Sequence, residues 1–149
     1  MDWNLLNLLR QNGRLSFAEL GRKLLLSAPA VAERTKRLEE RGVIRAYRAE
    51  VDLSKLGRGL HVYVRTVVQP KDYGRFQKAV AAMDEVLECH HVTGEESFLL
   101  RAALCDVRSL EVLIEKLSVF GPTKTSVTLS TSLDRRSFLP GTDVHARAT

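Results

Sequence analysis

The chain has 149 residues, of which 44% are hydrophobic and 28% charged, and its net charge is +5. This composition predicts one medium or two small packed domains. A membrane span and a secretory signal are not expected, because no apolar run approaches roughly 18 residues and the N-terminus lacks a signal pattern. Two cysteines, Cys89 and Cys105, are too few for a disulfide framework, so we expect reduced thiols in a cytoplasmic protein.

The first predicted elements are helical. Residues 2–11 carry leucines at helical spacing, and Asn12–Gly13 ends this helix. Residues 15–48 predict a short helix, a tight turn, a longer basic helix and then a strand. This order is that of a helix-turn-helix, which lays its second helix in the major groove of DNA.

Local residue chemistry supports this prediction. Ser16 and Glu19 have the spacing of a capping box at the start of the short helix. Ser27 is placed to cap the longer helix, and Gly42 is placed to end it. The apolar face of the longer helix is predicted to be buried and consists of Val31, Thr35 and Leu38.

The positive charge is concentrated in the same part of the chain. Residues 1–59 contain 12 Lys and Arg against 7 Asp and Glu, whereas residues 60–149 contain 11 of each class. A basic first part and a neutral second part favour a DNA-binding module joined to a sensing or assembly module. The alternative is a solvated amphipathic helix in some other helical domain.

The remaining chain predicts a second domain. Residues 42–52 alternate as in a strand, and residues 53–59 contain two glycines and are the best linker candidate. Beyond them, the apolar pattern predicts four strands and two helices in the order β-α-β-β-α-β. Their predicted bounds are residues 60–69, 71–83, 86–93, 97–105, 106–119 and 123–133.

This order is the ferredoxin-like, split βαβ arrangement, so the predicted fold class is α+β. The predicted domains are a winged helix-turn-helix over residues 1–52 and the ferredoxin-like domain over residues 60–133, followed by a frayed tail, residues 134–149. One sheet face mixes polar and apolar side chains, which favours a subunit interface. We expect His61 and His91 at this interface.

The order of these parts resembles one family. The segments NGRLSFAEL, LSAPAVAERTKRLEERGVIRAYRAEVD and ECHHVTGEESFLL are similar to those of the leucine-responsive regulatory protein and AsnC, the feast/famine transcription regulators. The resemblance implies binding to two-fold related sites on double-stranded DNA and regulation by an amino acid or related metabolite. It also implies homodimers that assemble further, from tetramer to octamer, and association with the nucleoid.

The longer helix and its surroundings supply the candidate DNA contacts. Its first turn and outer face would meet base edges, since a glutamate can accept from cytosine and a small alanine can touch a thymine methyl group. Arginine and lysine side chains would contact phosphates. An intramolecular ion pair is the alternative for Arg34 and Arg37. The predicted DNA-binding residues are Arg14, Ser27, Ala28, Pro29, Ala32, Glu33, Arg34, Lys36 and Arg37.

The resemblance implies that the effector binds between dimers, near a strand turn and the last strand. The matching residues are Thr93, Gly94, Glu95, Glu96, Ser97, Ser126 and Thr128. The chain departs from the family at Leu25, where glycine is usual in the helix-helix turn. It departs again at Ser97, where many members carry an acidic residue that meets an amino-acid ammonium group.

Other chemistries are less well supported. Cys89, His90 and His91 are adjacent, but neighbouring strand residues point to opposite faces, so no metal or other cofactor is expected. We expect Cys89 and Cys105 to be small interior residues. No phosphate loop or nucleophile motif is present, so no enzyme is predicted. Two alternatives stay open: an architectural protein that wraps DNA without an effector, and a relative of tetrapyrrole decarboxylases that relies on His90, His91 and Arg101.

Overall fold

The computed structural model describes residues 2–133, which divide into two compact units between Glu50 and Val51. The predicted tail, residues 134–149, lies outside the described residues. Among the residues predicted as a linker, Leu53–Leu56 form a 3-10 helix that belongs to the second unit. Across the described range, no helix is long and apolar enough to cross a membrane.

Three helices form the first unit: α1 (Trp3–Gln11), α2 (Phe17–Leu24) and α3 (Ala28–Glu40). The face of α3 that the sequence predicts to be buried is buried. The fully buried apolar side chains of the three helices form one cluster, which consists of Leu5, Leu20, Val31 and Leu38.

Polar side chains cap both helices of the helix-turn-helix, as predicted. The Ser16 hydroxyl accepts the Glu19 backbone N–H at 3.2 Å, and the Glu19 carboxylate accepts the Ser16 N–H at 2.7 Å. Hydrogen bonds from Ser16 hold the pKa of Glu19 below its usual value. At the start of α3, the Ser27 hydroxyl accepts the backbone N–H of Ala30 at 3.3 Å. Each cap satisfies a donor that a helix start leaves unpaired.

The end of α3 is a Schellman motif built on Gly42. This glycine has a φ of +66°. Its N–H donates to the carbonyl of Glu39 at 2.8 Å, and the N–H of Val43 donates to the carbonyl of Leu38 at 2.9 Å. The left-handed backbone that this motif requires explains why glycine follows α3.

The predicted strand over residues 42–52 is wrong, because these residues contain no strand. Alternating side chains favour an extended chain, but a strand also needs a neighbour that satisfies its backbone groups. The described residues of the first unit contain no other strand. Ile44 instead packs against the helical core.

Tyr47 fastens this segment to the helices. Its hydroxyl donates to the Glu39 carboxylate at 2.9 Å. Its ring lies beside Gly13, where an added Cβ atom would be 3.6 Å from the ring. Partial burial, together with the hydrogen bond to Glu39, raises the pKa of Tyr47 to about 12.

The second unit has the predicted β-α-β-β-α-β order. Its four strands form one sheet in the order β2-β3-β1-β4, with every neighbouring pair antiparallel. The elements are β1 (Leu60–Thr66), α4 (Tyr73–Ala81), β2 (Val86–His91), β3 (Phe98–Leu104), α5 (Val107–Ser118) and β4 (Thr123–Val127).

The core of this unit lies between the helices and one sheet face. Alternate residues of β1 and β3 are fully buried there, as the period-two pattern predicts. The core cluster consists of Val62, Val64, Val68, Phe76, Val80, Phe98, Leu100, Ala102, Leu104, Leu113 and Leu117.

The last strand is shorter than predicted. β4 stops at Val127, which pairs with Val62 near the start of β1. The N–H of Thr128 still donates to the carbonyl of His61 at 2.9 Å. β1 begins only one residue before His61, at Leu60, and the predicted extension to residue 133 does not form.

The prediction for the cysteines is wrong, since both Cys89 and Cys105 are exposed. Cys89 lies on the edge strand β2, where only one neighbouring strand covers it. Cys105 follows the last residue of β3 and precedes Asp106, the N-cap of α5. Composition alone does not distinguish such edge and loop positions from a core position.

Thr66 supplies a test of how a buried hydroxyl affects stability. Its side chain is fully buried, and its hydroxyl has no hydrogen-bond partner within the described residues. We expect Thr66→Val to raise the free energy of unfolding by about 1–2 kcal/mol, because the unpaired hydroxyl becomes a methyl group of similar shape. Chemical denaturation followed by circular dichroism measures this change.

Thr35→Val is the matched control for Thr66→Val. Thr35 is also buried, but its hydroxyl donates to the carbonyl of Val31 at 2.9 Å. The same substitution there removes a hydrogen bond, so we expect no gain in stability. Equal stabilisation by both variants would contradict this interpretation.

Tyr47 predicts a pH dependence for the first unit. Its pKa is raised from 10.0 to about 12, so the folded state holds the phenol proton more tightly than the unfolded state. This contribution to stability is complete below about pH 10 and is lost as the pH rises towards about 12. Denaturation followed by the fluorescence of Trp3 should show that the free energy of unfolding falls over this range. The fall should be smaller in Tyr47→Phe.

Glu39→Gln is the control for the Tyr47 prediction. It keeps a hydrogen-bond acceptor and removes the charge, so part of the dependence should survive through burial of the Tyr47 ring. Identical pH profiles for the wild-type chain and Tyr47→Phe would refute the assignment to this phenol.

Candidate functional site

The turn between α2 and α3 sets how α3 is presented. The N–H groups of Leu25 and Leu26 both donate to the carbonyl of Gly21. A Cβ atom on Gly21 would lie 2.6 Å from the Leu26 carbonyl oxygen, so only glycine fits there. Leu25 has a φ of 57° and a ψ of 42°, a left-handed conformation that disfavours a residue with a Cβ atom by about 1–2 kcal/mol.

The helix α3 is not basic overall, although the sequence analysis predicts a basic helix. Ala28–Glu40 contains three basic and three acidic residues and therefore has no net charge. Arg37 lies 3.0 Å from the Glu33 carboxylate, and Lys36 lies 3.7 Å from that of Glu40. All four side chains are exposed, and such pairs contribute little to stability, so a competing phosphate can separate them.

Arg34 has a partner outside α3. Its guanidinium lies 2.7 Å from the carboxylate of Asp2, the N-cap residue of α1. The contact links the first and third helices across 32 residues of sequence. Asp2 is distant from Arg34 along the chain, so the sequence alone does not indicate this pair. Arg34 is therefore less free to reach a phosphate than Arg14, which is exposed between α1 and α2.

The start of α3 places the remaining predicted contacts close together. Ser27 and Pro29 are exposed there, and Ala28 and Ala32 are partly buried. The Ser27 hydroxyl is already engaged as the helix cap.

Sequence reasoning missed two basic residues beside this turn. Arg22 and Lys23 occupy the last turn of α2, and both are exposed. Neither forms an ion pair with any of the residues described, 2–133. Two sequence features could have identified Arg22 and Lys23 as candidate DNA contacts. They lie directly before the helix-helix turn, and they belong to the part of the chain that carries the net charge.

The turn over residues 93–97 is fastened to the end of β1 through Ser97. The Ser97 hydroxyl accepts the Val68 N–H at 3.2 Å and donates to the Val68 carbonyl at 3.0 Å. The Ser97 N–H donates to the carbonyl of Thr66 at 2.9 Å. Gly94 has a φ of +122°, and an added Cβ atom would meet nothing within 4 Å. Ser97 thus has a local structural role, and the turn opens towards solvent at Gly94.

The two glutamates of the turn differ. Glu96 is partly buried and lies 3.5 Å from the ammonium group of Lys124. Glu95 is exposed and has no ion-pair partner among residues 2–133. Thr93 is exposed at the start of the turn. Glu95 is therefore the more available negative charge for a ligand.

The two hydroxyls predicted on the last strand are separated from the turn. Thr128 bonds to His61, whereas the turn bonds to Thr66 at the other end of β1. His61 and Thr66 are five residues apart, which at 3.3 Å per residue is about 16 Å along the strand. Ser126 lies between them, opposite Tyr63. A single small ligand cannot contact both the turn and Thr128 of one chain.

The sheet face away from the helices carries an ion cluster. Arg101 lies 2.6 Å from the Glu88 carboxylate, and His90 lies 3.2 Å from its second oxygen. Hydrogen bonds from Arg101 and then His90 lower the pKa of Glu88. The prediction that His91 lies at this face is wrong. Its ring stacks on Phe98, with the ring centroids 4.9 Å apart. The described residues contain no group of metal-ligating side chains.

Comparisons with known proteins identify both units. An AsnC-type helix-turn-helix domain matches residues 1–39, and an Lrp/AsnC ligand binding domain matches residues 61–138. The HTH-type transcriptional regulator LrpC of Bacillus subtilis (strain 168) is 35% identical over 130 residues, which are 87% of this chain and 90% of the relative. The leucine-responsive regulatory protein of Haemophilus influenzae is 35% identical over 117 residues, 76% of this chain and 70% of that protein.

Solved structures agree with this match. The structure of LrpC from B. subtilis has a TM-score of 0.86 at 34% identity and covers 91% of this chain and 96% of its own. A transcriptional regulator of Neisseria meningitidis in complex with L-methionine has a TM-score of 0.85 at 30% identity, covering 92% and 93%. A feast or famine regulatory protein from M. tuberculosis complexed with L-methionine has a TM-score of 0.81 at 30% identity, covering 91% and 95%.

These relatives are transcriptional regulators rather than enzymes, so the decarboxylase alternative is set aside. The helix-turn-helix and the four-stranded α+β unit match them in both sequence and fold. The chain belongs to the Lrp/AsnC family of transcriptional regulators.

Proposed function

We propose that the chain inserts α3 into the major groove of double-stranded DNA. Homodimers would present two such helices about 34 Å apart, or a multiple of that distance. The observation that carries this proposal is the capped, outward-facing α3 behind a turn that only glycine at position 21 permits. The first turn of α3, with Ala32 and Glu33, would meet base edges, and the cations around it would meet phosphates.

We further propose that a small metabolite, an amino acid, binds at the turn over residues 93–97 where two dimers meet. The solved structures of two related regulators are complexes with L-methionine. The exposed Glu95 could meet an ammonium group in place of the acidic residue that Ser97 replaces. The separation of this turn from Thr128 supports a site completed by a second copy of the chain. Binding would shift assembly between dimer, tetramer and octamer, with a coupling of about 1–3 kcal/mol.

A second candidate function is DNA binding without an effector. One observation favours it: both hydrogen-bonding roles of the Ser97 hydroxyl are used by Val68, so this side chain has little left to offer a ligand. Such an architectural protein would bind with shallow sequence preference and a steep salt dependence.

The test of these proposals is a gel shift with DNA from upstream of the protein's own coding region. It is run with and without a pool of the standard amino acids. Binding that falls with salt and changes with the pool supports a metabolite-gated regulator. Binding that the pool leaves unchanged favours the architectural alternative, and no binding at low salt contradicts the DNA proposal.

Lys36→Ala tests the phosphate contacts. We expect weaker binding to every sequence and a slope of log affinity against log salt that is shallower by about 1, because one phosphate contact releases about one counterion. Lys55→Ala is the control, since Lys55 lies outside the helix-turn-helix and pairs with Asp52 at 3.8 Å. A slope that Lys36→Ala leaves unchanged would remove this residue from the contacts.

Gly94→Trp tests the effector site. We expect loss of any amino-acid response while DNA binding by isolated dimers persists, since the indole would fill the open side of the turn. Gly94→Ala is the matched control, because it imposes the same strain at a φ of +122° without the bulk. A response retained in Gly94→Trp would move the effector site elsewhere.

A further inference from the structure

We propose that Leu25 contacts a thymine 5-methyl group beside each recognition helix and so determines part of the sequence specificity. This inference rests on the proposed insertion of α3 into the major groove. Leu25 lies outside α3, in the helix-helix turn, and would contact a base in addition to the residues of α3.

Leu25 is exposed in a way that its neighbours are not. The residue is 92% exposed, whereas Leu24 and Leu26 on either side pack against the core of the first unit. The backbone therefore directs one leucine of three outward, and no described residue covers it.

The backbone makes this exposure costly. Leu25 is the only non-glycine residue with a positive φ among residues 2–133. Glycine at this position would remove both the strain and the exposed apolar surface. A left-handed backbone kept at a residue whose side chain is exposed and apolar points to a partner outside the monomer, because backbone strain of this kind persists mainly at functional sites.

The turn cannot relax to relieve Leu25. The contact of Gly21 with the Leu26 carbonyl, and the hydrogen bonds from Leu25 and Leu26 to Gly21, fix the path of the chain. The Cα–Cβ bond of Leu25 is thus held in one direction before any partner binds, so no backbone entropy is lost there on binding.

The surroundings of Leu25 fit DNA. Arg22 and Lys23 precede it as exposed cations, and the exposed Ser27 and Pro29 at the start of α3 follow it. An apolar group among cations complements a major groove, where phosphates flank the thymine methyl group. A second copy of the chain is a poorer partner, because it would bring the same cations together.

The experiment compares thymine with deoxyuridine, which lacks the 5-methyl group. Duplexes are selected from random-sequence DNA with the full wild-type chain, and thymines are then replaced one position per half-site. We expect the wild-type chain to lose about fourfold in affinity per half-site at one position, the effect of one buried methyl group. Leu25→Ala should bind the thymine duplex more weakly and lose nothing further at that position.

Matched variants separate the side chain from the backbone. Leu25→Ala keeps the Cβ atom and its strain, and Leu25→Met should retain sensitivity to the methyl group. Leu25→Gly should unfold at higher denaturant concentration yet bind the selected DNA more weakly. Val107→Ala, at a position 74% exposed in the second unit, should bind as the wild type does.

Two results would overturn the inference alone: wild-type affinity in Leu25→Ala, or, at every thymine position, the same loss on deoxyuridine in the wild-type chain and in Leu25→Ala. A wild-type chain that enriches no duplex would overturn the proposed function, and the inference with it. The two failures are therefore distinguishable in one series of measurements.

Discussion

The first unit depends on the close approach of Gly21 to the carbonyl of Leu26. This contact allows α2 to stop and α3 to start within three residues, with Ser27 free to cap the new helix. It also forces Leu25 into the left-handed region. The direction of α3 is thus determined by backbone packing before the helix begins, and the exposed side chains on α3 can vary without altering it.

In the second unit a side chain fixes the turn over residues 93–97, whereas in the first unit a glycine fixes the turn between α2 and α3. Ser97 holds both backbone groups of Val68, so the turn over residues 93–97 is attached to the end of β1. Because this hydroxyl is already engaged, Glu95 and backbone groups near Gly94 would have to recognise the charge of the proposed ligand. Since Thr128 lies at the far end of β1, a ligand between chains, and not within one chain, is the arrangement that could use both predicted parts.

Local rules predicted the fold well because they act over a few residues. The caps at Ser16 and Ser27, the stop at Gly42 and the alternating burial of β1 all follow from near neighbours. Errors arose where distant or absent partners decide the outcome. Residues 42–52 lack a neighbouring strand, and Arg34 binds Asp2 across the unit. The candidate contacts could be listed from the sequence, but which cations are already paired could not, because side-chain partners depend on packing.

The glutamates along α3 have a consequence for how the protein would search a genome. Each paired cation must leave a carboxylate before it meets a phosphate, and the released carboxylate then faces a negatively charged duplex. This penalty applies at every sequence, whereas favourable base contacts occur only at correct sites. Paired charges therefore lower the affinity for the operator and for competing sites by the same factor and leave their ratio unchanged. Weaker non-specific binding shortens the stay at each wrong site, so the chain would move on sooner while base contacts alone decide which site it prefers.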